Sequence, residues 1–158
     1  MLRTFQSKIY SPSKIIQVCK KIKDKKIVFT NGCFDLVHVG HVCYLQQARK
    51  KGDFLVVVLD TDLSVRKLKG KGRPINTLKN RMAVLAALEC VDAVTWFSGS
   101  NPLPMIEKIH PHVLVKGGDW LVHKIIGSEQ VLSWGGEVFA LPYVKGYSTT
   151  KLVQKISF

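Results

Sequence analysis

One stretch limits what this chain can become more than any other. Residues 26–51 begin with an uncharged β-branched and aromatic run, Ile27-Val28-Phe29-Thr30, and continue through Asn31-Gly32-Cys33-Phe34-Asp35-Leu36-Val37-His38-Val39-Gly40-His41. They end in a segment with Val42, Leu45, Gln46 and Arg49 at helical spacing, and Gly52 follows as a stop signal. The spacing predicts a buried strand over 27–30 and a helix over 42–51. His38 and His41, three apart, fall on one face of a helical first turn. There they stand beside backbone N–H groups that lack helical partners and carry the positive end of the helix dipole. Gly32 and Gly40 let a ligand approach the backbone. A strand, a glycine turn, two imidazoles and a helix start together make a phosphate site.

The rest of the chain repeats the strand–helix alternation. Ser11-Pro12 opens a helix whose inner face is Ile15, Ile16, Cys19 and Ile22. Residues 54–59 are continuously apolar, as a strand buried on both faces reads, and Asp60-Thr61-Asp62 ends it. A helix is predicted over 77–89, a strand over 93–97, a helix over 102–110 and a strand over 113–115. A short helix over 128–134, a strand over 137–141 and a helix over 151–156 complete the series. Short connections and five strand candidates predict an α/β fold: a Rossmann-like three-layer sandwich, a five-stranded parallel sheet with helices on both faces. In such sheets ligands bind beyond the carboxyl ends of the strands, where strand order reverses. The whole chain, 1–158, reads as a single domain, with residues 1–25 as a helical extension packed on it.

Composition narrows the function classes. With 46% apolar residues and no run near the roughly 18 that span a bilayer, the chain reads as a globular protein without a membrane partner. The first eight residues lack the apolar core of a secretory signal, so a cytoplasmic location is expected. Cysteines 19, 33, 43 and 90 form no C-x-x-C pair and read as reduced thiols, with Cys19 and Cys90 in the core. Cys33 lies in the phosphate turn, but no partner base makes it a nucleophile. The 24 basic against 11 acidic residues give +13, which attracts polyanions. The lysines of 20–26 suit the end of a helix and solvent. A nucleic-acid-binding module would need a basic face interleaved with aromatics, whereas the aromatics here fall in strand patterns, so no nucleic-acid partner is expected.

Three further segments carry unusual chemistry. Lys116-Gly117-Gly118-Asp119 follows a strand directly: the glycines admit a base or ribose against the backbone, and the charges suit phosphate, ribose or metal. A tight turn with a solvated Lys and Asp is the plainer alternative. Gly146-Tyr147-Ser148-Thr149-Thr150 offers hydroxyls and free N–H groups at a second helix start, suited to outer phosphates, or it is an ordinary helix cap. Lys69-Gly70-Lys71-Gly72-Arg73 is a glycine-interrupted basic arm that could close over a phosphorylated substrate. It is not a Walker A loop, because no Gly-Lys-Ser or Gly-Lys-Thr follows. Arg81, on the next helix, either reaches the same site or lies on the surface.

Gly32-Cys33-Phe34-Asp35-Leu36-x-His38-x-Gly40-His41 resembles the signature of the nucleotidyltransferase superfamily that includes the cytidylyltransferases and sugar-phosphate adenylyltransferases. Within it the chain is similar to the D-glycero-β-D-manno-heptose 1-phosphate adenylyltransferases, which occur alone or fused to a kinase. The likeness extends through Leu68-Lys69-Gly70, Arg73-Pro74-Ile75-Asn76, Asn80-Arg81-Met82, Leu114 to Asp119, Gly135-Gly136-Glu137-Val138 and Ser148-Thr149-Thr150. It implies transfer of AMP from ATP to a sugar 1-phosphate, with Mg²⁺ bridging the ATP phosphates. His38, His41 and Lys69 are then the catalytic residues. Asn31, Gly32, Cys33, Phe34, Asp35, Gly40, Arg81, Lys116, Gly117, Asp119, Gly146, Ser148, Thr149 and Thr150 are the nucleotide-binding ones. The resemblance also implies a separate heptose-phosphate kinase as pathway partner, and dimers occur in the family. A cytidylyltransferase for glycerol 3-phosphate or a similar alcohol is the alternative. Those enzymes usually carry Thr at the place of Cys33 and arginines at the places of Glu89 and Tyr143, which favours the heptose phosphate.

Overall fold

The computed structural model describes residues 4–118, 120–142, 144 and 146–156. Five strands, β1 (Ile27–Gly32), β2 (Phe54–Asp60), β3 (Ala93–Phe97), β4 (Val113–Gly117) and β5 (Glu137–Leu141), form one sheet in the order β3-β2-β1-β4-β5. Every pairing in it is parallel. The chain steps outward from β1 to β3, then crosses back to lay β4 against the free side of β1. Strand order therefore reverses between β1 and β4, at whose carboxyl ends a crevice must open.

The helices are α1 (Pro12–Lys21), α2 (Val39–Arg49), α3 (Asp62–Lys69), α4 (Leu78–Ala86), α5 (Leu103–Ile109), α6 (Ser128–Ser133) and α7 (Thr149–Ile156). Alternation along the strands divides the core into two layers. Phe29, Val56, Val58 and Leu114 meet Ile15, Cys19, Met105 and Ile106 on one face. Val28, Leu55, Val57 and Val115 meet Leu45, Ala48 and Leu85 on the other. In the N-terminal segment, Tyr10 N donates to the Val94 carbonyl at 2.9 Å, and α1 lies against α5 and β3. All four cysteines are free thiols; Cys19 is in the core, whereas Cys90 is only half-buried beside it.

The boundaries depart from the expectations in two places that matter. Helix α2 begins at Val39 rather than 42, which places His38 at its N-cap and His41 inside its first turn. Residues 62–69, for which the sequence pattern predicts no element, form α3, capped by Thr61 Oγ1, which accepts from Ser64 N. Val65 is the one buried residue of α3, so its basic surface hides the helical period.

A glycine fixes how α2 returns to β2. A Cβ built at Gly52 would lie 2.4 Å from the Lys26 carbonyl oxygen and 2.7 Å from Val28 Cγ2. Gly52→Ala is expected to lower unfolding stability by about 1–3 kcal/mol, the usual cost of forcing atoms into a filled space. Urea denaturation measures it; a loss below about 0.5 kcal/mol would show that the β1–β2 entry relaxes freely.

Candidate active site

The site grows from the carboxyl end of β1. Gly32 lets the chain turn tightly enough for the Phe34 ring to fold back beneath it; a Cβ there would meet that ring at 3.1 Å. Phe34 itself adopts φ 47° and is buried. Its ring supports His41, the two centroids lying 5.2 Å apart. His38 stacks on His41 at 3.9 Å and 20°. The His38 backbone N–H donates to His41 Nδ1 at 3.4 Å. Gly40 is needed because the His38 ring covers it: a Cβ would sit 3.0 Å from His38 Nδ1.

Both imidazoles are biased towards neutrality. Burial lowers the His38 pKa, and its Nδ1 is buried with no hydrogen-bond partner. The His41 pKa is lowered to about 4 by burial first and by the His38 charge second, against a hydrogen bond with the Leu36 carbonyl. Two neutral rings beside a helix N-terminus form a receptor whose protonation follows the arrival of negative charge.

The second helix start converges on the first. Thr149 Oγ1 donates to the Leu36 carbonyl at 3.4 Å, and the Tyr147 ring lies 6.4 Å from that of His38. Ser148 Oγ accepts from Lys151 N, capping the helix as an N-cap should. Thr150 is exposed, and Gly146, at φ 94°, has open space around it. Across the switch point, Lys116 Nζ reaches Asn31 at its carbonyl (3.4 Å) and at Oδ1 (3.3 Å). Burial lowers the Lys116 pKa, opposed by the charge of Asp60 and by Cys33. Gly117 pairs with Leu141 in the β4–β5 ladder. Asp119 and Tyr143 lie outside the described residues.

Two expected nucleotide contacts have other employment. Asp35 is 3% exposed. It accepts from Arg73 Nε (2.6 Å), Ile75 N (2.8 Å) and Asn76 N (2.9 Å), so it pins residues 73–76 under the turn. Burial alone would raise its pKa; the N–H donors of Asn76 and Ile75 and the Arg73 guanidinium together hold it below the usual carboxylate value. Arg81 is 1% exposed. Its guanidinium donates to the carbonyls of Asn76 (3.1 Å), Cys33 (2.6 Å) and Asp60 (2.8 Å) and to Asp62 Oδ1 (2.8 Å). Arg81 thus neither faces a ligand nor lies on the surface; it braces the turn. The sequence held a signal of this, since Leu78, Arg81 and Leu85 share the inner stripe of α4.

Lys69 ends α3 and is exposed, with Gly70 beyond it at φ 94°. Its charge is felt at the Cys33 thiol, which locates its side of the crevice. Sequence reasoning missed two participants. Asp60, at the end of β2, accepts from Cys33 Sγ at 3.5 Å. Tyr44 links Thr30 Oγ1 (2.6 Å) to the Val115 carbonyl (3.2 Å) beneath the switch point. Glu89 is exposed in the α4–β3 connection, at the amino-terminal pole, away from this crevice.

A parallel sheet whose switch point carries a histidine-bearing helix start defines a nucleotidyltransferase. Residues 29–155 match the Cytidylyltransferase-like family, and the chain belongs to it. It is 54% identical over 136 residues to the Bifunctional protein HldE of Alcanivorax borkumensis, covering 86% of this chain and 29% of that one. It is 50% identical over 152 residues to the protein of the same name from Koribacter versatilis, covering 95% and 31%. The chain thus spans under a third of the length of the curated relatives it matches. Among solved structures, the lipopolysaccharide core biosynthesis protein of Thermoplasma volcanium is 27% identical, with a TM-score of 0.62 over 78% of this chain and 99% of that one. Pantothenate synthetase of Thermus thermophilus, at 14% identity, shares the fold with a TM-score of 0.67 over 92% and 67%.

The protonation state of the site can be read directly. In the free protein, imidazole NMR is expected to show His41 titrating near 4, with the midpoint moving upward when a triphosphate binds. Because the folded value lies below the unfolded 6.5, the stability this neutrality contributes is present above pH 6.5. It is lost as pH falls through the folded value. A midpoint near 6.5 in the free protein contradicts this description.

Proposed function

We propose that this chain transfers AMP from ATP to D-glycero-β-D-manno-heptose 1-phosphate, releasing pyrophosphate and giving ADP-heptose for lipopolysaccharide core biosynthesis. One observation carries the reading: His38 and His41, stacked at the start of α2, stand beside the start of α7 at the switch point of a parallel sheet. The match to the HldE proteins supports the choice of sugar and nucleotide.

The chemistry asks little of a base, because the acceptor phosphate is already an anion at neutral pH. One of its oxygens forms a bond to the α-phosphorus of ATP, and the bond from that phosphorus to the β-bridging oxygen breaks, with the electron pair leaving on pyrophosphate. The obstacle is bringing two polyanions into line and stabilising the charge that develops on the leaving group. His38 and His41 donate to the phosphates. The starts of α2 and α7, with Gly40, Gly146, Ser148, Thr149 and Thr150, supply amides and hydroxyls to them. Lys69, at the end of α3, closes a cation over the reacting groups. Lys116 neutralises charge from the β4 side, while Asn31, Gly32, Cys33, Phe34 and Gly117 line the nucleotide. Asp35 and Arg81 serve the site by holding its turn.

Among the described residues, no group of three or more His, Cys, Asp or Glu could hold a metal ion. Mg²⁺ would arrive with the triphosphate, and the charge neutralisation it would supply there adds to that of Lys69 and Lys116. No helix among the described residues is long and apolar enough to cross a membrane. We read the chain as a transferase unit that works in the cytoplasm, as monomer or homodimer, on the product of a heptose-phosphate kinase.

Pyrophosphate release, assayed with ATP and CTP against heptose 1-phosphate and glycerol 3-phosphate, tests the assignment. ATP with the heptose phosphate is expected to be the active pair; CTP with glycerol 3-phosphate as the preferred pair overturns it. In the same assay His41→Ala is expected to lose about 10²–10³ in kcat with the fold intact by circular dichroism. Near-wild-type turnover removes the histidines from the mechanism.

A further inference from the structure

We propose that the Asp60 carboxylate recognises the hydroxyl groups of the acceptor sugar, on the β2 side of the crevice. The inference rests on the adenylyltransferase reading and says where, within that site, the uncharged part of the second substrate lies. Asp60 is the last residue of β2, half-buried at the carboxyl-terminal pole, next to the end of β1. Arg81 Nη2 fixes the Asp60 carbonyl at 2.8 Å, so the residue stands in a set position whatever its side chain does. Its carboxylate accepts a single described hydrogen bond, from Cys33 Sγ at 3.5 Å. A thiol is a weak donor, and a carboxylate has about four acceptor positions, so most of that capacity is open to a stronger donor. The Cys33 thiol is raised to about 11, by burial first and the Asp60 charge second, so it stays protonated at neutral pH and is the donor of this pair.

On the β4 side, Lys116 is held by Asn31; on the β2 side stands Asp60, whose charge is felt at Lys116 although no ion pair joins the two among the described residues. The cations Lys116 and Lys69 attract the phosphates of both substrates, whereas the Asp60 carboxylate repels them. A carboxylate beside a polyanion site is unfavourable unless something neutral and rich in O–H donors faces it. The hydroxyls of a sugar fit, because neighbouring O–H groups can donate to both carboxylate oxygens at once. The amide of Asn31, whose oxygen is turned towards Lys116, keeps its NH₂ for a sugar oxygen on the same face.

The test compares wild type, Asp60→Ala and Asp60→Asn, reading ATP affinity by calorimetry and acceptor KM with ATP saturating. Asp60→Ala is expected to raise the acceptor KM by about tenfold or more, and Asp60→Asn by less, since the amide still accepts. ATP affinity should stay within about twofold, because on this proposal the carboxylate faces the hydroxyls of the acceptor and not the nucleotide. Deoxy sugar 1-phosphates add a readout that a merely structural role would not move: wild type should discriminate against one of them, and Asp60→Ala should not. An unchanged acceptor KM with turnover intact overturns the assignment of Asp60 alone. So does weakening confined to ATP, which would put the nucleotide against this carboxylate. Absence of wild-type turnover with every sugar 1-phosphate, ATP still binding, overturns the adenylyltransferase reading and this inference with it. If Asp60→Ala does not fold, Asp60→Asn carries the same comparison.

Discussion

A guanidinium sealed inside the protein holds the phosphate turn in place. Arg81 brings together the turn after β1, the end of β2, the start of α3 and the segment before α4, through bonds to Cys33, Asp60, Asp62 and Asn76. A buried charge is costly unless every donor finds a partner, and removing one member of such a set typically costs roughly 3–5 kcal/mol. Here the partners are mostly backbone carbonyls, which cannot swing away. Asp35 works in the same way from the opposite side, tying residues 73–76 to the turn. These two charges point inward so that the histidines above them can point outward in a fixed arrangement.

That arrangement explains how neutral side chains can bind a highly charged ligand. Packing His38 on His41, with Phe34 beneath and Tyr147 beside, removes water from the rings and keeps them uncharged while the site is free. Charged imidazoles at 3.9 Å would repel one another. In the proposed reaction an incoming triphosphate would reverse the balance, because opposite charge favours the protonated form. The helix starts contribute fixed dipoles in the same direction, and they need no reorganisation when the leaving group gains charge.

Much of this was legible in the chain. Strands buried on both faces announce themselves as continuous apolar runs, and residues 54–59 are bounded almost as the sheet bounds them. The turn between β1 and α2 was legible because its glycines and histidines have few other uses at that spacing. What stayed hidden is what depends on burial. Helix α3 shows a basic surface and one inward residue, so periodicity is silent there. The start of α2 was displaced by three residues because Gly40 and two histidines are poor helix formers, and tertiary contacts override that preference. Arg81 and Asp35 read as ligand contacts because sequence reports charge and not whether solvent reaches it. The placing of Asp60 and Lys116 needed the strand order, which alone puts the ends of β2 and β4 on either side of β1.

The central claim is positional: the triphosphate lies between the stacked imidazoles and the two helix starts. A crystal structure with a non-hydrolysable ATP analogue measures this most directly. The account predicts β- and γ-phosphate oxygens within hydrogen-bond distance of His38, His41 and the first residues of α7. Phosphates seated elsewhere, for instance at the amino-terminal pole among Lys26, His112 and Trp134, would contradict it.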